Sequence, residues 1–349
     1  MFSETDKSLK FIALLLGLIV TAILVVALRQ LQSIIRPFLV AVLLSFLLGP
    51  FVELLTRKKV PMWLAMVIMV IILFTVLYLI GLLIYSSSNN FIEEFPKYEE
   101  RVTMMMEDFL NYLNIPTPQA QEYINQLDWK SALMGAKLTT VLSTTLGSFF
   151  GFLGKLVMMI ILLLFIIPGR NKLGDRLQRM FIERRAVKIQ SVLESINSGV
   201  QLYLIAKTAI SLATGILVTV VLLILGVDFA VMWGFFTFLL NFIPTIGSII
   251  ATIPPILVCF VQYGFGTKVL LVAILLTAIQ LIMGNGVEPR VMGRRLNLSP
   301  LVVILSLIFW GWLWGVPGMI LATPLASAFK IICENIEPLK PIAILMSSD

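Results

Sequence analysis

The residues able to do chemistry in this sequence are few, and most lie in its second half. Glu288, Pro289 and Arg290 place a carboxylate and a guanidinium two residues apart, just after an uncharged run from Val269 to Val287. A carboxylate held partly out of water there is the group a proton carrier needs. With Arg290 it could equally form a structural ion pair, or both could mark a membrane interface by snorkelling to headgroups. Asn241, Thr245 and Ser248 gather around Pro244 and Gly247, a break in an apolar run, and Asn285 precedes Glu288. Lys207, Thr208, Ser211 and Thr214 open another apolar run. Such groups can hydrogen-bond a polar solute, although Ser and Thr inside a helix also bond their own backbone and serve packing. Lys207 and Ser248 are the types of a Ser-Lys nucleophile pair, but no spacing motif joins them.

Other chemistry is excluded. The chain has no His, which removes histidine acid–base catalysis, His metal ligation and Ser-His-Asp triads. Cys259 and Cys333 lie in separate apolar stretches, too few for a zinc site or a disulfide framework, and read as small packing residues. No GxxxxGK[ST] occurs, so active transport would need an ion gradient or a separate motor subunit. The expectation is a non-enzyme without cofactor or metal.

These groups must be positioned by membrane helices. Of 349 residues, 59% are hydrophobic and 13% charged, with a mean hydropathy of +1.01. A soluble domain of this length could not hide that much apolar surface. The net charge of +7 would suit nucleic acid, but Lys and Arg also collect at the cytoplasmic ends of membrane spans. The expected partner is the lipid bilayer, not nucleic acid. Uncharged runs place spans at 11–28, 37–52, 60–92, 146–168 (interrupted by Lys155), 208–227 and 269–287. The first reads as a retained anchor rather than a cleaved signal. Two runs, 229–267 and 296–329, are too long for one simple span.

The chain accordingly divides into a three-span scaffold (1–88), an acidic extracytoplasmic helical segment (89–145) and a fourth span (146–168). A basic cytoplasmic amphipathic segment (169–198), a transport core (199–335) and a tail (336–349) follow. In the acidic segment Tyr98, Val102, Met105, Phe109 and Tyr112 repeat at helical spacing, stopping near Asn114 to Pro118. The positive-inside rule puts the basic segment and both termini in the cytoplasm. If the first of the two overlong runs crossed once, Arg290, Arg294 and Arg295 would fall outside, against that rule. Each run has a central break, Asn241 to Gly247 and Gly311 to Gly318, leading into Gly-x-x-x-Ala-Thr (Gly247, Ala251, Thr252; Gly318, Ala322, Thr323). If each is a re-entrant hairpin, the three arginines return to the cytoplasm. The expected fold is an all-α polytopic membrane protein of about eight hydrophobic segments. These are six spans plus two re-entrant helical hairpins forming an inverted repeat. The alternative is an eight-span bundle with kinked sixth and eighth helices.

Four segments carry a family resemblance: Tyr203–Ser211 (YLIAKTAIS), Leu240–Ser248 (LNFIPTIGS), Gly284–Arg294 (GNGVEPRVMGR) and Phe309–Gly315 (FWGWLWG). They resemble the autoinducer-2 exporter family of bacterial inner-membrane permeases, specifically from about 199 to 331 and by layout before that. The resemblance implies export of a small polar signalling molecule or, in some relatives, exchange of sodium for protons. It also implies a homo-oligomer, a pentamer. The substrate would meet the breaks at Pro244 and at Pro317 and Gly318. Asn241, Thr245 and Ser248 would bond its hydroxyls, and Trp312 with its neighbours Trp310 and Trp314 would form an apolar wall or an interfacial aromatic belt. A membrane interaction protein that transports nothing is the reading from a different class.

Overall fold

The computed structural model describes residues 4–112, 154–169, 183–292 and 297–348. Among them every regular element is helical, the solution lipid imposes on a chain that must satisfy its own backbone hydrogen bonds. The helices are α1 (Glu4–Gln30), α2 (Gln32–Arg57), α3 (Met62–Tyr112), α4 (Gly154–Gly169), α5 (Glu183–Leu225), α6 (Ala230–Leu240) and α7 (Ile246–Tyr263). After them come α8 (Thr267–Leu281), a π-helical segment (Ile282–Val287), α9 (Glu288–Met292), α10 (Pro300–Trp314) and α11 (Val316–Asn335). A 3-10 turn, Glu337–Leu339, and α12 (Lys340–Leu345) close the chain.

Two helices are longer than a hydrocarbon core requires. Helix α3 has 51 residues, about 75 Å of helix, so the third span and the Tyr98–Tyr112 stripe are one rod. No glycine interrupts residues 89–112, and Pro96 lies inside the helix. Helix α5 likewise joins the fifth span to the end of the basic segment in one continuous helix. The stop at Asn114–Pro118, the rest of the acidic segment, residues 170–182, and Arg294 and Arg295 lie outside the described residues.

Among the described residues six helical stretches are long and apolar enough to cross a membrane: Gln32–Arg57, Met62–Leu83, Val187–Leu225, Ile246–Tyr263, Thr267–Met292 and Val316–Asn335. Leu15–Gln30 and Gly154–Gly169 are further apolar helical stretches, on the first and fourth expected spans.

The chain forms two compact units. One comprises Met1–Phe46, Met158–Val200 and Asn297–Asp349. Here α10 and α11 form a helical hairpin. Ser306 Oγ donates to the Ala322 carbonyl at 2.9 Å across the arms, and Lys330 Nζ donates to the Asn297 carbonyl at 2.7 Å at the base. The chain therefore leaves at the end where it entered. The tip turns at Gly315, whose φ of 69° and ψ of −146° suit glycine alone. A Cβ on Gly318 would overlap the Trp310 carbonyl oxygen, so glycine lets the arms touch. Trp314 is buried against Val25, Leu28, Ile35 and Leu39, and its indole N–H donates to the Leu28 carbonyl at 3.3 Å.

The other unit comprises Leu47–Val157 and Gln201–Leu296. Its hairpin, α6 and α7, closes the same way. At the base the Asp228 N–H donates to Gln262 Oε1 (3.1 Å), and Gln262 Nε2 and the Tyr263 hydroxyl donate to the Gly226 carbonyl (3.0 and 2.7 Å). At the tip a Cβ on Gly247 would overlap the Leu240 carbonyl oxygen. Neither overlong stretch is a single kinked helix. Helix α6, at 11 residues, covers about 16 Å, roughly half a hydrocarbon core. It lies against α5 through Gly215 and Gly234, where a Cβ on either would sit 2.6 Å from the other's carbonyl oxygen. Val218, Leu222, Ala230, Cys259, Val272 and Leu276 fill the core beside it.

Candidate functional site

Helix α5 is the spine of the site. Its buried face repeats at intervals of three and four: Tyr203, Ala206, Lys207, Ile210, Ser211 and Thr214. Lys207, with 3% of its side chain exposed, donates to both carboxylate oxygens of Glu288, at 2.7 and 2.8 Å. A two-pronged ion pair of this kind is among the stronger polar contacts a protein makes. One turn further, Ser211 Oγ accepts from Asn241 Nδ2 at 3.0 Å and ties the tip of the first hairpin to the same spine.

Glu288 owes its position to a helix defect. After α8 the chain widens into the π-helical segment, and Glu288 is the first residue to resume the α form. Gly284 and Gly286 are poor helix formers, and Pro289 lacks the N–H of a regular helix. π-Segments re-aim the side chains that follow them and are common at functional sites.

The hairpin tip is a second defect. The Ile246 N–H donates to the Pro244 carbonyl at 2.6 Å, with Thr245 between them at φ 61° and ψ −58°. That is a γ-turn of the strained type, unusual for a β-branched residue and costing on the order of 1–3 kcal/mol. Pro244 contributes no N–H and breaks the helix there.

These defects border a cleft of about 550 Å³, within the usual range for small-molecule sites. Thr245, Ser248 and Thr252 form one wall, at helical spacing along α7. Thr277, Gln280, Gly284, Asn285 and Glu288 form the other, along α8, the π-segment and α9. Ile243, Pro244, Ile249, Ile253, Ile256 and Leu281 supply apolar surface, and Lys207 and Asn241 complete the lining. Among the described residues the only charged lining residues, Lys207 and Glu288, cancel each other. Such a lining suits a small uncharged solute rich in hydroxyl or carbonyl groups. Among the described residues no cluster of His, Cys, Asp or Glu could hold a metal ion.

Of the residues singled out in the sequence, Lys207, Asn241, Pro244, Thr245, Ser248, Asn285 and Glu288 come together in this cleft. Ser211 lies behind it, holding Asn241, and Gly247 sits where the hairpin arms touch. Arg290 is exposed, and the partner of Glu288 is Lys207. Trp312, Pro317 and Gly318 belong to the other unit. There Trp312 is 62% exposed with the Arg29 guanidinium 5.7 Å from its ring centre, Pro317 is exposed and Gly318 is buried. Thr277 and Gln280 were missed, and Thr252 and Gly284 were noted only as parts of motifs, not as lining residues. The signal for Thr277 and Gln280 was helical spacing, since 277, 280, 284 and 288 share one face of a largely apolar span.

A clasp from α3 secures the base of the first hairpin. The Tyr98 hydroxyl donates to the Asp228 carboxylate, and Arg101 donates to the Gln262 carbonyl. Burial, and then the hydrogen bond to Asp228, push the Tyr98 pKa well above the ordinary tyrosine value.

Known proteins resemble this chain in sequence over most of its length. The model of the AI-2E family transporter matches residues 12–337. The AI-2 transport protein TqsA of Escherichia coli K12 is 35% identical over 96% of this chain and 95% of its own length. A Haemophilus influenzae relative, provisionally named a transport protein, is 32% identical over 92% of both chains. YhhT of E. coli K12, named in the same provisional way, is 31% identical over 98% of this chain and 96% of its own.

Proposed function

Because the chain belongs to the AI-2E family of transporters, and is thus a multi-pass membrane transport protein, we propose that its cleft carries a small uncharged polar solute of the autoinducer-2 kind outward across the bacterial inner membrane. The cleft lining carries this reading: hydroxyls and amides on two facing helix walls, with no net charge. Asn241, Thr245, Ser248, Thr252, Gln280 and Asn285 bind the solute, and the strained tip at Thr245 is the element that moves. The first hairpin re-enters the membrane from the outer face and the second from the cytoplasmic face. Both termini are cytoplasmic, and the protein works as a homo-oligomer, a pentamer by resemblance to the family.

Efflux of autoinducer-2 from loaded proteoliposomes tests this. Thr252→Val and Gln280→Leu should each slow efflux roughly 2–10-fold, the worth of a hydrogen bond or two. Wild-type vesicles no leakier than protein-free ones would end the reading.

The second reading, sodium–proton antiport through Glu288, is favoured by the 24% exposure of the Glu288 side chain beside the cleft. Sodium would have to displace an ammonium already held by both carboxylate oxygens, so it ranks second. A sodium pulse that changes internal pH in vesicles would establish it.

A further inference from the structure

Lys207 is the feature the transport reading leaves unused. A buried ammonium on a helix long enough to cross a membrane is costly unless compensated, and here the compensation comes from a carboxylate 81 residues away. The pair is internal and complete. Glu288 offers both oxygens to Lys207, and among the described residues no other carboxylate lines the cleft to accept the ammonium if a cation took Glu288. A coupling cation would thus replace one positive charge by another and leave the first uncompensated.

We propose that Lys207 is a built-in counter-ion that occupies the position a coupling cation would take, making the loaded and empty site electroneutral and the protein a uniporter for its uncharged solute. The inference rests on the transport reading. Its consequence is directional: net flux follows the solute gradient alone, so a compound made inside the cell leaves without drawing on the membrane potential. Lys207 acts here as a positioning residue, holding Glu288 and keeping the cleft neutral.

The test is the steady-state distribution of radiolabelled autoinducer-2 in proteoliposomes, with equal sodium and pH on both sides and −100 mV imposed by potassium and valinomycin. A carrier moving one cation per solute would shift the inside-to-outside ratio about 50-fold, because about 2.3 kcal/mol acts on one charge per 100 mV. The expected ratio is one. A ratio displaced towards 50-fold in either direction overturns the inference while leaving the transport reading intact; absence of any wild-type flux overturns both. The counter-ion role is checked separately by melting temperature. Lys207→Met and Glu288→Gln should each lower it, and the double variant should recover most of the loss. Single variants as stable as wild type would show that the charges do not compensate each other, and would also overturn the inference.

Discussion

Replacing Gly247 with Ala probes the contact on which the first hairpin depends. The new methyl would overlap the Leu240 carbonyl oxygen and lie 3.2 Å from Ile243 Cβ. The nearest of these is backbone at the end of α6, so it cannot rotate away, and relief requires the two arms to part at the tip. Overpacking of this kind costs on the order of 1–3 kcal/mol. In an unobstructed helix the same substitution would gain roughly 0.5–1 kcal/mol through reduced backbone freedom. Gly81→Ala in α3, where nothing lies within 4 Å of the added Cβ, supplies that comparison. The two variants should therefore move melting temperature in opposite directions in detergent, with Gly247→Ala down by roughly 2 °C or more. Flux should fall with it, because parting the arms disturbs Asn241 and the γ-turn at Thr245. Gly247→Ala melting at or above wild type would refute the close approach of the arms.

The Tyr98 clasp predicts an alkaline effect. The folded-state pKa of Tyr98 is raised above the unfolded value of 10.0, so its contribution is complete below that value and is lost as pH rises beyond it, where only the unfolded chain ionises. Melting curves of Tyr98→Phe should show a shallower stability loss than wild type above pH 10; equal slopes would dismiss the clasp. Topology is checked with single cysteines after Cys259→Ala and Cys333→Ala: Asn297→Cys and Glu337→Cys should label together from the cytoplasm, and Phe265→Cys from outside. Labelling of Asn297→Cys and Glu337→Cys from opposite faces would refute re-entry of the second hairpin. Pro244→Ala restores an N–H and removes the ring, so the tip should heal towards helix and transport should drop with insertion intact. Unchanged flux in a Pro244→Ala, Pro317→Ala double variant would make the breaks passive kinks.

Much of this protein was legible in its sequence because lipid narrows the choices. Uncharged runs of about twenty residues had to be helices, and the paired breaks at Asn241–Gly247 and Gly311–Gly318 marked where two overlong runs turn back. The residues at the first break were legible too, since Asn, Pro and Thr amid Ile and Phe have few reasons to be there. Helix ends beyond the membrane were not: nothing local separates the third span from the Tyr98 stripe, so α3 continues as one rod. Partnership was decided only by tertiary structure. In the sequence Arg290 was the nearest cation to Glu288, but in the fold a π-segment and a proline turn Glu288 towards α5, where Lys207 waits. Trp312 and Trp314 look alike along the chain, yet two positions along a helix point to different sides, leaving one 62% exposed and the other 1%. Helical periodicity reports which residues share a face; what that face meets depends on how far the chain travels before it returns, and no local pattern encodes that distance.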